Sequence, residues 1–90
     1  MFKSIDKRLE ELGFKKRSEG NYGATYAKVD KEFGFVHCIA ILNKELGDHI
    51  IHSYQKGANS DGFNNTVGMT YKEAKLAIKK FRQLKRRFKW

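Results

Sequence analysis

Residues 33–42 read Phe-Gly-Phe-Val-His-Cys-Ile-Ala-Ile-Leu. Phe33, Phe35, His37, Ile39 and Ile41 alternate with Gly34, Val36, Cys38, Ala40 and Leu42, so both sides of an extended chain are apolar. A run so rich in β-branched and aromatic residues predicts the central strand of a sheet. The slimmer set, Val36, Cys38, Ala40 and Leu42, is expected to lie beneath helices. The other side then needs a fourth strand folding over, a partner chain, or bases stacking on Phe33 and Phe35. The run is about half a membrane span and carries Gly34 and His37, so it is read as part of a globular core.

Outward from this strand the signals change in order. Residues 43–48, with Gly47, read as a turn, and residues 49–56 complete a hairpin. Towards the N-terminus, residues 24–29 and 14–18 are shorter strands around a turn at 19–23, and Asp30-Lys31-Glu32 is a polar connection. Residues 57–69 are rich in Gly, Asn and Ser and read as a loop. The stretch Asp61-Gly62-Phe63-Asn64-Asn65 within it is a candidate binding loop, because backbone amides beside a helix start can hold a phosphate.

Two helices flank the strands. Residues 4–12 have Ser4 as N-cap, Asp6 in the first turn, Gly13 as the stop, and an apolar face of Phe2, Ile5, Leu9 and Leu12. The second begins at Thr70, where Thr70-Tyr71-Lys72-Glu73 has the spacing of a capping box, and runs almost to Trp90. Ala74, Ala77, Ile78, Phe81, Leu84 and Phe88 form the stripe expected to face the core. The predicted fold class is α+β: α-β-β-β(-β)-α, an antiparallel sheet with two helices packed on one face, in a single domain over residues 1–90. At 90 residues and 40% hydrophobic, the chain has a thin core and is too apolar to be disordered.

The formal charge of +9 is unevenly placed. Residues 1–69 hold ten basic and nine acidic side chains, whereas residues 70–90 hold nine basic ones against Glu73 alone. Lys72, Lys75, Lys79, Arg82 and Arg86 fall within about 80° of arc on the second helix, with Lys80 and Arg87 beside them. Such a ridge can displace the counterions condensed on a polyanion. A solvated face usually mixes signs at i,i+4 spacing, and this one has no acid after Glu73.

Metal and catalytic readings are not favoured. His49 and His52 point to opposite sides of a strand, as do His37 and Cys38, and no Cys-x-x-Cys or His-x-x-x-His occurs. Cys38, in the middle of the strongest strand, reads as a buried structural thiol. No enzyme activity, metal or cofactor is expected. One cysteine and a charged N-terminal segment without a signal-peptide core point to the cytoplasm and away from membranes.

Two resemblances add to this reading. Gly34-Phe35-Val36-His37, and Lys72, Ala74 and Lys75 at the start of the second helix, resemble motifs of double-stranded-RNA-binding domains. That likeness implies that Lys72 and Lys75 grip phosphates and that His37 lies near a minor-groove contact. Residues 49–56, 61–65 and 70–76 resemble small uncharacterised phage-encoded proteins of Gram-positive bacteria, which implies a host-cell cytoplasm and accessory roles. The expected function is a non-enzymatic nucleic-acid-binding module, with RNA favoured over DNA. Its contact residues are Lys72, Lys75, Lys79, Arg82, Arg86, Arg87 and His37. Two alternatives stay open: a counter-defence inhibitor binding a host protein such as a nuclease, and a structural homodimer through the sheet with an incidental basic face.

Overall fold

The computed structural model describes residues 3–32, 34–44, 47–57 and 64–90. Helix α1 spans Ile5–Glu11, with the Ser4 hydroxyl accepting from the Lys7 amide at 3.1 Å. Strands β1 (Lys15–Gly20), β2 (Gly23–Asp30), β3 (Phe35–Leu42) and β4 (Ile50–Gly57) follow, then the short β5 (Asn64–Thr66) and helix α2 (Tyr71–Phe88). Each strand pairs antiparallel with its neighbour in sequence, in the order β1-β2-β3-β4-β5. The expected α+β class is therefore present, with four antiparallel strands following α1 as anticipated and the short β5 added before α2.

Local chemistry sets the boundaries. The Thr70 side chain accepts from the Glu73 amide at 3.1 Å, and Glu73 Oε1 accepts from the Thr70 amide at 2.9 Å, closing the expected capping box. At its far end α2 stops at Lys89, which is left-handed (φ 56°), and Trp90 folds back. Its indole stacks on His49 at 5.0 Å and donates to the Asn21 carbonyl at 3.2 Å. Gly23 opens β2 at φ 130°, where a β-carbon would lie 1.8 Å from the Ile41 carbonyl oxygen. Only glycine fits that approach of two strands.

One side of the sheet carries both helices. Ala24 and Tyr26 of β2 and Ile39 and Ile41 of β3 meet Leu9 and Phe14 below α1, and Leu76, Ala77 and Leu84 of α2. This reverses the expected use of β3: Ile39 and Ile41 lie under the helices, Phe35 is 41% exposed, and Val36, Cys38, Ala40 and Leu42 face away. The space between a sheet and a helix layer must be filled to crystal-like density, which Ile39 and Ile41 do and the small residues cannot. The small set is instead sheltered by its neighbours on adjacent strands: Val36, Cys38 and Ala40 are each under 10% exposed, with no helix over them.

Two further expectations need correction. The buried side of α2 is Glu73, Leu76, Ala77, Lys80 and Leu84, with Ala74, Phe81 and Phe88 partly buried, while Ile78 is 43% exposed. The helix is thus turned roughly 60–80° from the orientation its apolar stripe implies. The cause is Lys80, which is not beside the ridge but buried, 3% exposed, with its ammonium 2.6 Å from Glu19 Oε1 and 3.2 Å from Asp6 Oδ1. The predicted loop over 57–69 also contains β5, paired with Tyr54, Gln55 and Lys56. Phe2 and Phe33 lie outside the described residues, as do Asp61, Gly62 and Phe63 of the candidate binding loop. Among the described residues no helix is long and apolar enough to cross a membrane.

The Lys80 cluster extends to Lys16, 3.0 Å from Asp6, and to the Tyr26 hydroxyl, which donates to Asp6 at 2.5 Å. Burial alone raises the Asp6 carboxyl pKa, but hydrogen bonds from Tyr26, Lys16 and Lys80 outweigh it and hold the group below its ordinary value. Glu19 behaves likewise, with burial overcome chiefly by Lys80. Both acids therefore contribute stability that is complete above the ordinary carboxylate range and is lost as pH falls through their depressed folded values. Lys80→Met is expected to cost about 2–3 kcal/mol at pH 7, measured by urea unfolding, because two half-buried carboxylates lose their shared cation. The gap between wild type and Lys80→Met should narrow progressively below about pH 4, as both acids protonate. A gap that stays constant down to pH 2 is the contrary result.

Candidate nucleic-acid interface

With Lys80 turned inward, Lys72, Lys75, Lys79, Arg82 and Arg86 turn outward together. Lys79 is half-buried and the other four are exposed. Along α2 they extend about 21 Å. Among the described residues, none of the five is paired with a carboxylate. The ion pairs present join Lys3 to Glu11, Lys16 and Lys80 each to Asp6 and Glu19, and Arg87 to Glu19. Glu73, the one acid of α2, is buried under the first turn in its capping role.

Helix α1 lies alongside. Arg8, Glu11 and Leu12 of α1 and Lys72, Lys75, Leu76 and Lys79 of α2 line a groove of about 270 Å³. Arg8 therefore adds a sixth cation from a different element. Sequence spacing could not find it, since only the packing of the two helices places it there. Glu11 on the same wall is held by Lys3 at 2.5 Å, and that bond keeps its carboxyl below the ordinary range. Tyr71, 77% exposed, brings its ring within 5.9 Å of the Lys75 ammonium. It stands at one end of the ridge as an accessible aromatic surface.

The other two residues in the expected set lie elsewhere. Arg87 bonds Glu19 at 2.7 Å and lies 5.2 Å over the Phe88 ring, so its guanidinium is directed towards β1. His37 lies on the helix side of β3, edge-on to Phe14 at 5.2 Å and 2.7 Å from the Ser53 hydroxyl. Burial lowers its pKa, Lys28 adds to that, and Glu73 opposes it without prevailing. A neutral imidazole bonded to Ser53 is a packed element of the sheet, separate from the ridge.

The arrangement suits phosphate contacts made by mobile, solvated cations on one rigid helix, which position a ligand without reading its bases. Cys38 is buried among Ala27, Val36 and Tyr54. Among the described residues no group of three His, Cys, Asp or Glu side chains converges as metal ligands do. The chain matches no protein-family model, no curated protein and no solved structure.

A row of like charges on one side of a helix costs the protein some stability. The triple variant Lys75→Gln, Arg82→Gln, Arg86→Gln is expected to melt at or slightly above the wild-type temperature in low salt. The difference should be of order 0.5 kcal/mol and vanish by about 0.5 M salt. A clear loss of stability would mean that these side chains have structural partners.

Proposed function

We propose that the protein is a non-enzymatic nucleic-acid-binding module whose α2 lies along a phosphate backbone. The observation carrying this reading is the alignment of five cations without acidic partners on one side of a single helix. Among the described residues Lys3, Lys16, Lys80 and Arg87 are matched with acids, while Lys72, Lys75, Lys79, Arg82 and Arg86 are not and lie along one line of α2. Arg8 widens that line into a band at the groove between the helices. Duplex or structured RNA is favoured over DNA on the partial likeness of Lys72, Ala74 and Lys75 to double-stranded-RNA-binding domains. The resemblance to phage-encoded proteins makes a host-cell cytoplasm the proposed setting.

Five phosphate contacts give log K a slope against log salt near −4 to −5 on a duplex. Arg82→Ala and Arg86→Ala should each weaken binding to every sequence tested and reduce that slope by about one. Arg82→Glu should weaken it further by adding repulsion. Lys44→Ala, exposed after β3 and not part of the α2 ridge, is the control and should change little. Mobility shift with duplex RNA, duplex DNA and single strands at two salt concentrations measures all of this. Ridge variants that bind as wild type does, or no binding at low salt, would overturn the reading. In that event, a host protein retained after nuclease treatment would identify the inhibitor alternative.

A further inference from the structure

The side of the sheet opposite the helices holds a second surface with a different make-up. Ala27 of β2 and Val36 and Cys38 of β3 form its floor, each under 10% exposed. Arg17, Thr25, Tyr54 and Lys56 stand around them and enclose a depression of about 450 Å³. It continues across Ala27 and Arg17 into a second depression of about 410 Å³, lined by Gly13, Lys15, Val29 and Lys31. Among the described residues no carboxylate lines either one. The Tyr54 ring lies 4.9 Å from His52 at 33°, two residues apart on one side of β4. Cations, flat rings and a shallow apolar floor thus share one side of a rigid sheet.

The placing of Arg17 has an identifiable cause. The pairing of β1 with β2 slips between Lys16 and Ser18, so Arg17 is the extra residue of a β-bulge. Ser18 then pairs with Thr25 on the uncovered side, their hydroxyls 2.7 Å apart. Arg17 and Ser18 therefore share that side, and Glu19 is returned to the covered side, where Lys80 meets it.

We propose that this uncovered side binds a stretch of single-stranded nucleic acid. Tyr54 and His52 supply stacking surfaces, and Arg17, Lys15 and Lys56 meet the phosphates. Exposed bases stack on aromatic rings while a basic rim follows the backbone, a combination that tolerates any sequence. Charge decides against a second copy of the chain as occupant. A two-fold contact sets each copy's Arg17 and Lys56 into a shared interface where no carboxylate among the described residues answers them. The inference does not rest on the α2 reading, because the two surfaces lie on opposite sides of the sheet.

The test is a titration of isotope-labelled protein with a uridine decanucleotide at low salt, followed by amide NMR and by anisotropy of the labelled oligonucleotide. Shifts are expected at Ala27, Val36, Cys38 and Tyr54. Tyr54→Leu, which keeps the apolar cover over Cys38 but removes the ring, should weaken binding at least about fivefold. Arg17→Gln should weaken it and lower the salt slope by about one. The α2 double variant Arg82→Ala, Arg86→Ala should keep the shifts on the uncovered side, so failure of the helix reading and failure of this one remain distinguishable. A decaglutamate peptide, which offers charge without bases, should move these resonances at least about tenfold less. Shifts confined to α2, Tyr54→Leu binding like wild type, equal response to decaglutamate, or a dimer in sedimentation that buries Cys38 would each overturn the proposal.

Discussion

The ammonium of Lys80 fixes how the helix layer sits on the sheet. It is buried, yet it reaches Asp6 of α1 and Glu19 of β1 at ion-pair distance, so one cation ties three elements together. Taking such charges out of water costs several kcal/mol, which the two carboxylates, Lys16 and the Tyr26 hydroxyl offset in part. An apolar side chain at position 80 could settle at several rotations of α2, whereas an ammonium between two acids accepts one. The orientation of every other side chain on α2 follows from that setting, including which cations meet solvent.

This explains how a chain with so marked an excess of positive charge keeps a stable interior. The acids nearest the layers are matched with Lys80, Lys16 and Arg87, and Glu73 is confined to the helix cap. Apart from the Lys3–Glu11 pair beside α1, neutralisation takes place inside and at the β1 edge, and among the described residues the Lys72–Arg86 ridge has none. A helix used only to cover a sheet gains from acids at i,i+4 spacing on its solvent side. Their omission from Lys75 to Trp90 is the feature that a purely structural account of α2 does not reach.

Much of the architecture was legible because its signals are local. Ser4 and Thr70 mark the helix starts through caps that need only neighbouring residues, and the alternation over residues 33–42 marks the central strand regardless of the rest of the fold. The ridge was legible for the same reason, since its spacing is internal to one helix. Which side of β3 faces the helices was not, because both sides are apolar and only the volume to be filled chooses between them. Nor was the rotation of α2. Counting apolar residues treats Lys80 and Glu73 as solvent groups, and their burial depends on Asp6, Glu19 and Thr70 being brought close. The bulge at Arg17 leaves no pattern in a strand as polar as β1, so the return of Glu19 to the covered side could not be read from spacing, and Arg8 joins the ridge only through the packing of α1 on α2.

The pairing of each strand with its sequence neighbour has a consequence for how the molecule assembles. Hairpins close short loops, so β2, β3 and β4 can zip together with little entropy lost to chain closure. The covering helices are different: α1 and α2 stand at opposite ends of the order of elements, and their shared contact spans nearly the whole chain. Topology therefore predicts the sheet as the early structure, with Ile39 and Ile41 still wet, and docking of α2 as the late event that dries them. On this order, a change at Gly23 or in the β3 hairpins slows folding, while a change at Leu84 or Lys80 chiefly hastens unfolding. The cationic band between α1 and α2 then comes into being only with the last step, so a chain that presents it has also completed its core.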